Sequence, residues 1–200
     1  VSDYNNQRKA RSRELAVGVY RDVTRRFKLP NDRQVWALCA EQNPEWSLCE
    51  IEHYARMMFC DRKQYVGVDR NVEIIARNQA RYPGVRFIAE EWVNALAYAV
   101  DFKPGYVHLD TTAFADHSHT ARLIVDTMLL LPPDVFLVFN VIAEDTYTHK
   151  QRSTDVLLKR IAQQLEKSKL EKWVPCGDFP YRGSRRSTWM HTFMLYRGRG

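Results

Sequence analysis

No stretch of this 200-residue sequence is apolar for anything near the roughly 20 residues that a membrane-spanning helix requires. Its opening, VSDYNNQRKARSR, lacks the apolar segment of a secretory signal. Both absences point to a soluble, cytoplasmic protein. The four cysteines, Cys39, Cys49, Cys60 and Cys176, make no CxxC pair and no zinc-like spacing. That argues against a disulfide framework and a zinc module, and buried reduced thiols are expected. Glycine is equally sparse, with none between Gly18 and Gly67. The first apolar run, VWALCAEQNPEW, is therefore followed by no glycine loop. There is no internal repeat, low-complexity tract or Gly/Ser linker either. Residues 1–200 thus read as one domain, with a basic N-terminal helix in 1–30 and an α/β core in 34–197.

What the chain has in excess is positive charge, +6 overall, and it is unevenly placed. Residues 1–28 hold 8 basic and 3 acidic residues, residues 181–200 hold 5 basic and none acidic, and the stretch between is net negative. If folding brings the two ends together, they form a patch for a polyanion; otherwise they are solvated faces.

In SRELAVGVYRDVTRRFKLP, Leu15, Val19, Val23 and Phe27 recur every four residues, the spacing of an amphipathic helix that ends before Pro30. From residue 34 short apolar runs alternate with helical patterns. QVWALCA, QYVGVD, VRFIAE, GYVHLD and DVFLVFNV are too uniformly apolar for half-exposed strands and suit strands buried on both faces. Between them, SLCEIEHYARMMF, NVEIIARNQARY, WVNALAYAV and HTARLIVDTMLLL have helical spacing. A fifth such helix, STDVLLKRIAQQLEKS, precedes two last strands, KWVPCGDF and TWMHTFMLYR. Their connection, PYRGSRRS, is too short for a parallel crossover. The prediction is a three-layer, doubly wound α/β sheet of seven strands, six parallel and the last antiparallel, preceded by an N-terminal helix.

This order of elements resembles that of the class I, Rossmann-like S-adenosylmethionine-dependent methyltransferases along residues 34–197. The resemblance implies S-adenosylmethionine as cofactor. Ligands of an open α/β sheet bind outside the carboxyl ends of the strands, where strand order reverses. Asp69 closes YVGVD, followed by Arg70 and a helix, and stands where the family holds the cofactor ribose. Asn71 is available to cap that helix in its place. In VRFIAEEW, Glu91, or Glu90 one residue earlier, matches the family's acid near the adenine amino group, and Trp92 offers an aromatic face to the base. The first strand departs from the family. Ala37 takes the place of an acid, and Cys39, Glu41 and Asn43 fall where glycines are expected. Either a wider loop through Ala40, Glu41 and Asn43 meets the polar end of the cofactor, or the site has decayed, or it takes a different nucleotide.

GYVHLDTTAF puts Asp110 where the family's acceptor-side motif begins. It matches the Asp-Pro-Pro-aromatic pattern of amino-group methyltransferases in the acid, with Phe114 as a displaced aromatic. Asp116, His117 and Ser118 resemble the end of the Asp-Gly-Asp-His-Ser stretch of small-molecule O-methyltransferases. Metal-dependent members add an Asp-Asn pair after the fifth strand. Here Phe139 precedes Asn140, so a magnesium site lacks a ligand, and no metal is expected. His117 and His119 make no zinc site without a third ligand. Asp110 is assigned to orient or partly deprotonate the acceptor, with His117 or His119 as the alternative base. The loop after the sixth strand places Tyr181, Arg182, Arg185 and Arg186 at the rim, a stacking surface beside guanidinium forks suited to phosphate. The expected activity is methyl transfer to a nucleic acid or another phosphate-bearing substrate. The alternatives are an inactive methyltransferase-like scaffold that binds nucleic acid or a protein, and a small-molecule O-methyltransferase.

Overall fold

The computed structural model describes residues 7–30, 32–40, 42, 49–58, 60–97, 103–114, 118–143, 147–167, 173–182 and 189–199. The chain starts with helix α1 (Gln7–Phe27) and then alternates strand and helix: β1 (Gln34–Leu38), α2 (Glu50–Met58), β2 (Tyr65–Asp69), α3 (Val72–Arg81), β3 (Arg86–Ala89), α4 (Trp92–Ala97), β4 (Pro104–Phe114), α5 (Ser118–Leu130), β5 (Val135–Ala143) and α6 (Tyr147–Lys167). It finishes with β6 (Trp173–Arg182) and β7 (Trp189–Arg197). The seven strands form one sheet in the order β3-β2-β1-β4-β5-β7-β6. The neighbours from β3 to β5 are parallel, and β7 runs antiparallel between β5 and β6. The predicted doubly wound sheet with a reversed last strand is met.

The central strands β1, β2, β4 and β5 are largely apolar because both of their faces are covered. Trp36, Val66, Val68, Val107, Leu109, Leu137 and Phe139 pack with residues of α4, α5 and α6. Their neighbours along the same strands, Val35, Ala37, Tyr65, Tyr106, Phe136 and Val138, pack with residues of α1, α2 and α3. Gly67 is needed for this second layer. A Cβ there would stand 2.8 Å from Cys39 Sγ and 2.8 Å from the Phe87 ring, well inside contact distance.

Two expectations are corrected. Of the Leu15–Phe27 stripe of α1, Val19 and Val23 pack against the core, whereas Leu15 and Phe27 are 40% and 49% exposed. The helix buries Ala10, Ser12, Arg13, Ala16 and Val17. Small residues allow close approach to the sheet; Ser12 has a hydrogen-bond partner on β7, and Arg13 pairs with Glu50 of α2 and lies 4.0 Å from Asp110 of β4. In addition, β6 continues through Tyr181 and Arg182, which pair with Met190 and Trp189. Both residues belong to the sheet rather than to a free loop. No helix among the described residues is long and apolar enough to cross a membrane.

Candidate active site

Strand register aligns the candidate residues. Leu38 pairs with Val68 and Ala37 with His108, so Cys39, Asp69 and Asp110 occupy one level at the carboxyl edge. The level continues through the pairs Asp110 with Asn140 and Asn140 with Thr192. Strand order reverses between β1 and β4, which puts Asp69 and Asp110 on either side of the crevice where open α/β sheets take ligands.

The chain leaving β1 has no glycine but is tied down by amide side chains. Ala40 is exposed, and its carbonyl accepts from Asn78 Nδ2 at 3.0 Å and from Gln42 Nε2 at 3.2 Å. Gln42 is buried. Its backbone N–H donates to Asn78 Oδ1 at 2.7 Å and its carbonyl accepts from Arg81 at 3.0 Å. Its side-chain oxygen accepts the backbone N–H of Glu50 at 2.9 Å, joining the loop to the first turn of α2. Sequence inspection missed Gln42. The expected cofactor contacts Glu41 and Asn43 lie outside the described residues. Cys39, in a glycine position, is buried, and burial above all pushes its thiol far above the ordinary range.

At the end of β2, Asp69 is half-buried and Oδ1 accepts the Asn71 N–H at 2.7 Å. Asn71, not Asp69, caps α3, accepting from the N–H groups of Glu73 and Ile74. The Asp69 carboxylate is therefore not spent on the helix. Arg70 and Glu91 are exposed side chains whose charged groups lie 3.6 Å apart. Glu90 is held below the usual carboxylate range by the Glu91 N–H and by the Asn94 amide, which makes it the acid that starts α4. Trp92 departs from its expected role. It is 4% exposed, its indole N–H donates to Thr127 Oγ1 at 3.0 Å, and it packs between the sheet and α5. A ring so enclosed offers no face to a base.

The end of β4 lies in a network of buried polar side chains. Asn140 Nδ2 donates to Asp110 Oδ1 at 3.1 Å and to His108 Nε2 at 2.9 Å, while its oxygen accepts from Thr192 Oγ1 at 2.7 Å. With Nε2 accepting, neutral His108 carries its proton on Nδ1, 2.6 Å from the Tyr54 hydroxyl. Thr192 also meets Ser12 of α1 at 2.6 Å. Arg13 lies 4.0 Å from Asp110 and 2.5 Å from Glu50, with side chains 5% and 6% exposed in the closer pair. Burial works against the Arg13 charge, but Glu50 first, then Tyr54 and Asp110, hold its pKa above the ordinary value. Tyr181 is buried rather than presented for stacking. Burial raises its phenol pKa, Asp110 raises it further and Arg13 opposes, so its hydroxyl stands in the same electrostatic field.

His117, Arg185 and Arg186 lie outside the described residues, as does the side chain of Arg182. His119 is exposed at the start of α5. On the other face of β7, an imidazole that sequence inspection overlooked has a partner: His191 Nε2 lies 2.5 Å from Asp178 Oδ2 of β6, its ring stacked on Phe193. His108 and Asn140 had a visible signal, since a polar residue in an otherwise apolar two-faced strand has to be satisfied internally. Arg13 had none, being one arginine among several in a basic helix.

No family model matches the chain, and no curated protein matches it in sequence. Solved structures do match its architecture. The plantazolicin methyltransferase BpumL, in complex with a pentazolic desmethylPZN analog and S-adenosylhomocysteine, aligns with TM-score 0.60 at 11% identity, covering 98% of this chain and 87% of that one. The N-methyltransferase NodS from Bradyrhizobium japonicum WM9, in complex with S-adenosylhomocysteine, aligns with TM-score 0.57 at 11% identity over 98% of this chain and 90% of that one. An S-adenosylmethionine-dependent methyltransferase from Clostridium acetobutylicum ATCC 824 gives TM-score 0.56 at 8% identity over 98% and 94%. At such identities the likeness is one of architecture, and the chain has the class I S-adenosylmethionine-dependent methyltransferase fold.

Proposed function

We propose that this chain is an S-adenosylmethionine-dependent methyltransferase whose acceptor is a nucleic acid or another phosphate-bearing molecule. The observation that carries the reading is the shared level of Asp69 and Asp110 on either side of the strand-order reversal. Because Asn71 caps α3, Asp69 has acceptor capacity for the two hydroxyls of a ribose. The exposed Glu91 stands close by, after β3. When bound, S-adenosylmethionine supplies a methyl group on a positively charged sulfur. The protein's part is then alignment, which contributes roughly 7–11 kcal/mol where geometry is favourable. Asp110, fixed by Asn140 and beside Arg13, orients the acceptor. Arg182 ends β6 on the same edge, with Arg185 and Arg186 following it in sequence, which supports an anionic acceptor.

Calorimetric titration with S-adenosylmethionine and S-adenosylhomocysteine tests the cofactor half, wild type beside Asp69→Ala. The expected result is saturable binding that the substitution weakens about tenfold or more, some 1.4 kcal/mol. Transfer of labelled methyl to total RNA, with loss in Asp110→Asn, tests the acceptor half. A second reading, an inactive scaffold, is favoured by the glycine-free loop pinned through Gln42 and by the ion pairing around Asp110. It prevails if neither protein binds cofactor at millimolar concentration.

A further inference from the structure

The basic last turn of α1 and the basic end of β7 meet at the edge of the sheet opposite the candidate site. α1 finishes in Arg25, Arg26 and Phe27, followed by Lys28, just before β1 begins; β7, running the other way, finishes there in Arg197, followed by Arg199. The Phe27 ring stacks on Tyr196 at 4.9 Å and 21°, with the Arg26 guanidinium 5.5 Å from its centroid. Asp134, which precedes β5, fastens this corner. Its carboxylate accepts from Tyr196 at 3.1 Å and from Arg199, and its backbone carbonyl accepts from Arg33 at 2.5 Å. Beside it lies a cleft of about 280 Å³, walled by Tyr20, Arg21, Arg25 and Arg33 and floored by Val35 and Met58.

Among the described residues, the carboxylates facing these cations are few. Asp134 is buried and shared by Arg33 and Arg199. Asp22 lies 3.7 Å from Arg25, but both side chains are more than 70% exposed, so solvent screens the pair. Asp32 is exposed at the turn before β1. A surplus of positive charge remains around an aromatic ring that is 49% exposed.

We propose that this edge is a docking surface for single-stranded nucleic acid, distinct from the crevice that holds Asp69 and Asp110. Arginine forks take phosphates bidentately, and bases stack on guanidinium planes as they do on rings. The Phe27 ring lies on Tyr196 and under the exposed Arg26, so a base extends this stack from the outer side of Arg26. An acidic polypeptide matches the charge but makes no use of that stack. The surface is independent of cofactor. It holds a polyanion while the opposite edge is left open to act, or to hold another part of the same strand.

The test is fluorescence anisotropy with a labelled, mixed-sequence 20-nucleotide RNA at 50 and 200 mM KCl. The wild type, the double variant Arg25→Glu with Arg26→Glu, Phe27→Ala, and Arg182→Glu at the opposite edge are compared. The expected result is salt-dependent binding by the wild type. The double variant should bind about tenfold more weakly at 50 mM KCl, with a salt slope shallower by about one unit or more. Phe27→Ala should bind about fivefold more weakly. Both altered arginines are solvent-facing, so equal thermal unfolding and equal cofactor titration confirm an intact fold. The proposal is overturned if the wild type binds no RNA at 50 mM KCl, or if polyglutamate competes as well as RNA. It is also overturned if Arg182→Glu loses the RNA while the double variant keeps it. That last result leaves the methyltransferase reading standing, and absence of cofactor binding with RNA binding intact removes that reading alone.

Discussion

Asp69 and Asp110 stand on one level of one sheet, separated by β1, in opposite surroundings. Asp69 is half-buried and receives a backbone N–H from Asn71. Asp110, its side chain 10% exposed, is held by the Asn140 amide and lies beside Arg13, which in turn grips Glu50. The first is a carboxylate at the mouth of a crevice, with capacity left for a ligand's hydroxyls. The second belongs to a buried polar network that links α1, α2, β4, β5 and β7. One carboxylate keeps acceptor capacity towards solvent; the other is spent on a network that holds its shape.

The largest effect that would break this contrast is at Arg13. Removing one partner of a buried ion pair leaves the other charged and unpaired, at a cost of about 3–5 kcal/mol. Arg13→Ala should therefore lower the urea midpoint sharply, whereas Asp69→Ala should leave it nearly unchanged. Equal midpoints for the two variants would mean that the Asp110 network carries no more stability than an exposed loop.

Asn140→Ala comes next. It removes one hydrogen bond each from His108, Asp110 and Thr192, and a buried group left unsatisfied costs about 1–3 kcal/mol. Loss of stability together with a fall in any methyl transfer is expected, because Asp110 then lacks the amide that holds it. A stable Asn140→Ala with unchanged kcat would show Asp110 positioned by something else.

The same contrast explains what sequence could and could not convey. Strand positions were legible because five runs are apolar on both faces, a demand that the sheet imposes residue by residue, and the last two follow from a connection too short for a crossover. Asn71 was legible as the cap of α3 because it stands two residues past the end of β2. The network around Asp110 was not, since its members come from distant segments; Ser12 and Thr192 are 180 residues apart and meet only because α1 packs on the sheet. The same long-range packing misled the reading of α1, where Arg13 takes an inward position and Leu15 an outward one. It also misled the reading of Trp92, whose indole has Thr127 of α5 as a partner. Periodicity ranks residues by hydrophobicity, and a paired arginine or a hydrogen-bonded indole escapes that ranking.

Cofactor affinity should separate the two carboxylates in the other direction. Asp69→Ala should weaken S-adenosylhomocysteine about tenfold, and Asp110→Asn should change it less than threefold, since an amide keeps the shape of the network. Gln42→Ala should fall between them by loosening the chain between Ala40 and Glu50, and calorimetry on the three variants ranks them.

The smallest effect is a dependence on pH at the α1–α2 contact behind Asp110. His53 is buried, neither ring nitrogen has a hydrogen-bond partner among the described residues, and its pKa is lowered to about 4, by burial first and then by Arg13 and Arg56. In the unfolded chain an imidazole titrates near 6.5. The unfolded state therefore takes up the proton first. The contribution of neutral His53 is complete above about pH 6.5 and is lost as pH falls towards 4. Denaturant midpoints measured at pH 7 and pH 5 should fall less in His53→Gln than in the wild type. An equal fall would place the acid sensitivity among the carboxylates and leave the Arg13 layer without a role in it.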